Sequence, residues 1–139
     1  MELPSFLRYL FLVHFVVALA YGVWFFTLPQ TWVDLTGWPY YDPLAGRVMA
    51  SMLIGLGIAS LLCYRANSWD KAEIIVVTDI IWLLLGSLGL IWSMIENFGI
   101  PIAGGLNLAV MLILLVLFVY AYYDVRVQLK PEIKSPLRS

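Results

Sequence analysis

An ionisable carboxylate and an imidazole each sit inside an otherwise apolar run. Asp79 interrupts VVTDIIWLLLGSLGL at residues 76 to 90, and His14 interrupts LFLVHFVVALA at residues 10 to 20. Charged side chains at membrane depth face a bundle interior or a polar path and take partners there. At 1.5 Å per residue Asp79 lies ~9 Å beyond Glu73 and His14 lies ~12 Å beyond Phe6, so the two reach nearly the same depth. The pair is therefore the predicted inner polar site. Three kinds of chemistry are open to it: a hydrogen bond locking two helices, proton exchange, and recognition of a ligand headgroup.

A second polar level is expected toward the opposite face. Arg47 follows Asp34 and Asp42, Glu96 and Asn97 end a later apolar run, and Asn107 lies near the start of the next. A guanidinium out of water takes a carboxylate, so Arg47 is expected to bind Asp42, Glu96 or both, the alternative being a side chain that snorkels to the interface. Tyr21, Trp24, Trp82 and Trp92 are candidate walls of an apolar pocket, although aromatic residues in a bundle also serve as plain packing. Cys63 is the only cysteine, so no internal disulfide is possible, and no Cys/His set has metal-ligand spacing. One His and one Asp with no placed nucleophile give no catalytic residue to assign, and no cofactor or metal is expected.

The elements that must position these groups are membrane spans. Of 139 residues 63% are hydrophobic and 12% charged, and the mean hydropathy is +0.91, far outside the soluble range. About 20 apolar residues cross a bilayer as a helix. Four runs meet that length, near residues 6–28, 45–65, 73–95 and 101–123, which predicts an all-α, antiparallel four-helix transmembrane bundle forming a single domain. The first run is too long for a signal peptide and lacks a small-residue cleavage site, so it is expected to be retained. Of the eight basic residues only Arg47 falls on the far side from the N-terminus, the second loop and the tail. The positive-inside rule then places both termini in the cytoplasm. A net charge of −1 gives no reason to expect nucleic acid.

The connection 29–44, PQTWVDLTGWPYYDPL, is rich in Trp, Tyr and Pro and is expected on the outer surface with a short helical turn at Gln30 to Leu35. Ser68 and Asp70 suit the start of the third span. The tail 124–139 is expected to be a fraying helical extension near the inner leaflet. Small residues let helices approach closely in lipid. The second span offers Ser51, Gly55 and Ala59, beside Gly46, Ala50 and Gly57. The third offers a stripe from Asp79 through Trp82, Gly86, Gly89 and Ser93 to Glu96 or Asn97, expected to face the bundle.

With its His in the first span, a Pro29-bounded aromatic loop, the DPLAGR entry from Asp42 to Arg47 and Asp79 early in the third span, the chain resembles small, mostly uncharacterised four-helix membrane proteins of bacteria and archaea, similar to the DoxX-like group. The resemblance implies a four-helix fold and an accessory role. Some DoxX-like proteins are subunits of quinone-linked complexes, but this chain has no second cysteine or other redox motif on which to place that role. Three functions follow for a chain with almost no mass outside the bilayer. The first is a non-enzymatic accessory or scaffold subunit, partnered by larger membrane subunits or further copies of itself. The second is a binder of a lipid, quinone or other apolar molecule. The third is an oligomeric transporter or channel using His14 and Asp79. A prokaryotic cytoplasmic membrane is the expected location.

Overall fold

A computed structural model describes residues 1–36, 42–96 and 102–133. The described chain forms α1 (Ser5–Thr27), α2 (Pro29–Thr36), α3 (Pro43–Ala66), α4 (Trp69–Glu96) and α5 (Ile102–Ile133). In α1, α3, α4 and the Gly104–Leu129 part of α5, length and hydropathy suffice to cross a membrane. Among the described residues the protein is thus all-helical, with four helices long and apolar enough to span a membrane, the make-up of an integral membrane protein. At most 28% of each apolar window is buried inside the bundle, so most of the apolar surface faces outward. That is a stable arrangement only where lipid is the solvent.

Local chemistry sets the helix ends. The Asp42 carboxylate accepts the Leu44 N–H at 2.8 Å, with Pro43 at the first helical position of α3, where proline sacrifices no helical hydrogen bond. At the other end Asn67 adopts a left-handed conformation at φ 47° and donates its N–H to the Cys63 carbonyl, as helix-terminating residues do. The corner between α1 and α2 is pinned by Trp24 Nε1, which donates to Thr31 Oγ1 at 2.8 Å, while Thr31 donates to the Leu28 carbonyl. The expected helical turn after Pro29 is therefore present as α2. Residues 37–41 and 97–101, which include Asn97, lie outside the described residues.

The N-terminus, the α3–α4 connection and the C-terminal part of α5 meet at one end of the bundle. Here the Trp69 N–H donates to the Met1 carbonyl at 3.0 Å, Glu2 and Ser68 form an isolated antiparallel bridge, and Arg126 binds Glu73. Arg8 lies over the Tyr64 ring, so this is the basic end. The hydrophobic core is concentrated in this half, around Leu7, Phe11, Val76, Phe118 and Val125, each fully buried.

Helix α1 packs most extensively on α3, and α4 on α5, with lighter contact between the two pairs. A Cβ added at Gly57 would lie 3.3 Å from the Ala18 Cβ, and one at Gly22 would lie 2.7 Å from Ile54. Those two glycines bring α1 and α3 together.

Two expectations about faces need correction. In α3 the bundle side is Ala50, Gly57, Ser60 and Cys63, whereas Ser51 is exposed and a Cβ at Gly55 would meet nothing within 4 Å. In α4 the buried face runs Ala72, Val76, Asp79, Leu83, Ser87 and Met94, not along Gly89 and Glu96, both exposed. Counting by alternate threes and fours follows a 3.5-residue period that drifts from the true 3.6, and Leu83, one position beyond Trp82, fills the core instead. Gly86 does face α5, with the Met111 side chain over it. The expected helical extension after residue 123 is present, α5 running to Ile133 as Val125 and Leu129 prolong its core-facing side.

Candidate functional site

Three buried polar groups come from three helices and meet below the centre of the bundle, toward the basic end. His14 of α1 is 3% exposed, and Ser60 of α3 and Asp79 of α4 are fully buried. His14 Nδ1 and Ser60 Oγ are hydrogen-bonded at 2.8 Å. Either the ring N–H donates to the hydroxyl oxygen or the hydroxyl donates to the bare nitrogen. The same Nδ1 lies 3.4 Å from Asp79 Oδ2. The fourth helix closes the site with Phe118, whose ring meets the imidazole edge-on at 5.3 Å between centroids. Cys63, one turn from Ser60, is buried in the adjoining core.

The juxtaposition of His14 and Asp79 expected from matched depths is therefore present, but its hydrogen bonding is not the expected one. Imidazole bonds to Ser60, and neither Asp79 oxygen has a hydrogen-bond partner among the described residues. Ser60 was not foreseen. Its signal was available, three residues past Gly57 on the side that turns toward α1, but counting the small residues from Ser51 placed the face elsewhere.

Chemically the constellation is a His with two oxygen groups gathered at one nitrogen. A nucleophilic triad places the serine and the carboxylate on opposite ring nitrogens so that one can activate while the other orients. Here Ser60 and Asp79 both approach Nδ1. The arrangement suits holding and sharing a hydrogen bond inside the bundle.

The second polar level does not assemble as expected. Arg47 is exposed, and among the described residues it forms no ion pair with Asp42 or Glu96. Asp42 is engaged in capping α3, Glu96 is exposed, and Asn107 is half-buried on α5. Near the end of a span an arginine side chain reaches the polar interface without a protein partner.

The aromatic candidates are dispersed. Trp24 holds the α1–α2 corner and borders an open apolar groove along α1 with Phe15, Leu19 and Val23. Tyr21 stacks near Phe25, Trp82 packs beside the core, and Trp92 is 67% exposed. Among the described residues no group of three or more His, Cys, Asp or Glu could hold a metal ion. Comparison with protein-family models, curated proteins and solved structures gives no match.

Proposed function

We propose that the chain is a non-enzymatic accessory or scaffold subunit of a larger membrane assembly. We place it in a prokaryotic cytoplasmic membrane with both termini in the cytoplasm. The observation that carries this reading is the outward face of α3. Ser51 and Gly55 point away from the bundle, and a side chain at Gly55 would meet nothing within 4 Å. Lipid tails gain nothing from a small residue, whereas a neighbouring helix gains close backbone approach. Met52, Ile58 and Leu62 flank that face and are exposed, which suits an apolar helix of a partner or of a second copy. The resemblance to small DoxX-like proteins points the same way. The orientation follows from the basic residues Arg8, Arg65, Lys71 and Arg126 near the termini and the α3–α4 connection.

The deciding experiment is gentle extraction of the untagged protein from its own membranes, with its native mass measured and every co-migrating polypeptide and lipid identified. The reading expects stoichiometric larger subunits, and Gly55→Leu should release them. Migration as a lone bundle would overturn it, and a lone bundle carrying a stoichiometric lipid or quinone would assign the binding function instead.

A further inference from the structure

Four hydroxyls inside these helices follow one habit. Thr27, Ser51, Thr78 and Ser93 each donate to the carbonyl four residues earlier, at 2.7 to 3.0 Å, the usual resting place for a hydroxyl in an apolar helix. Ser87 departs from it. Its side chain is buried on the bundle face of α4, and its Oγ has no hydrogen-bond partner among the described residues. Two turns away on the same face, both oxygens of Asp79 are in the same condition. Three unpartnered buried oxygens thus share one side of one helix, ~12 Å apart end to end by helical rise.

Buried polar atoms in native proteins find partners, and where protein supplies none an internal water does. A water beside Asp79 would have the two carboxyl oxygens and the remaining capacity of Ser60 Oγ, whose other hydrogen bond goes to His14 Nδ1, within the two to four partners such a molecule needs. We propose that His14, Ser60 and Asp79 form an internal hydration site that exchanges water and protons with the far end of the bundle by way of Ser87, past Leu83. Leu83 stands on the α4 face one turn from each polar level and is 3% exposed, the position of a hydrophobic plug between two polar levels. The main core cluster closes the other way out: on α1 and α3 its fully packed members lie at or below Phe11 and Cys63, and Leu3, Leu7 and Trp69 seal that side. The groups facing the site are His14 from α1, Ser60 and Cys63 from α3, Asp79 from α4 and the uncharged Phe118 from α5. In each exchange the proton that leaves the pair is replaced by one from the same water, so no net charge builds up in the bundle.

The inference stands independently of the subunit reading, since it concerns the interior of one chain. Its test reads magnetisation transfer from water to the ring N–H of His14 in the full-length, isotope-labelled protein in micelles. The signal is unambiguous because the chain has one histidine. Wild-type protein should show transfer, Leu83→Ala should accelerate it at least tenfold, and Ser87→Ala should slow it. Leu10→Ala, which loosens the core one turn on the basic side, should leave it within twofold. A wild-type ring N–H that receives no magnetisation from water would overturn the proposal and leave a dry helix lock. Equal acceleration by Leu10→Ala and Leu83→Ala would overturn the route. If Leu83→Ala fails to fold, Leu83→Val carries the same comparison with a smaller deletion.

Discussion

The hydrogen bond between His14 and Ser60 is the polar contact that joins α1 to α3 in the interior, and its value is set by the absence of competing solvent. Interhelical hydrogen bonds in membranes are worth ~0.6 to 2 kcal/mol. Ser60→Ala should therefore lower the stability of the detergent-solubilised protein by about that amount, read from reversible unfolding in mixed micelles, with the helical content of the folded state unchanged. An unaltered midpoint would mean that imidazole finds another partner at no cost. Asp79 illustrates why residue type alone does not give a role. Apart from Thr78 its neighbours along the sequence are apolar, yet its surroundings in space are a hydroxyl, an imidazole and a thiol from two other helices.

Among the elements, α3 has two faces with opposite requirements. Gly57 is pressed on Ala18 and on the Phe15 carbonyl, with a Cβ there reaching 3.4 Å from that oxygen. Gly55 is open. Gly57→Leu should accordingly force α1 from α3 and cost several kcal/mol, on the scale of overpacking and more, since backbone cannot yield as a side chain does. Gly55→Leu should leave the melting of the isolated bundle unchanged. Equal losses from the two substitutions, measured side by side by thermal unfolding in detergent, would refute this assignment of faces. The start of α3 offers a smaller effect. Asp42→Ala removes the cap on Leu44 and should cost about 1 kcal/mol, as caps generally do.

At the scale of the molecule, the basic end is tied together by chain segments distant in sequence. Leu3 is 7% exposed and belongs to the core, and the backbone of Met1 meets Trp69. Deleting residues 1–4 exposes a leucine-sized apolar surface worth at most ~1.5 to 3 kcal/mol, and should visibly lower the midpoint of thermal unfolding. Glu73→Gln, by contrast, weakens an ion pair whose arginine is largely in solvent, and such pairs contribute little and are screened by salt. It should leave the midpoint nearly unchanged and insensitive to added salt. The reverse ranking would mean that charge, not burial, holds this end.

Membrane solvation made much of this protein legible in its sequence. A helix must satisfy its own backbone in hydrocarbon, so uninterrupted apolar runs dictate the spans whatever their neighbours do. The same logic gave the depth match of His14 and Asp79, since rise per residue is fixed by the helix itself. What the tertiary structure alone decided is rotation. Because each helix is apolar nearly all round, hydropathy carries almost no phase, and the choice of Gly57 over Gly55, of Leu83 over Trp82 and of Ser60 as the partner of His14 was made by which surfaces interlock. Arg47 shows the same limit for charge: a span end near the interface gives an arginine water to bind, so no carboxylate is compelled to meet it. Spacing along one helix is a property of that helix, whereas a site built from three helices depends on how they pack against one another.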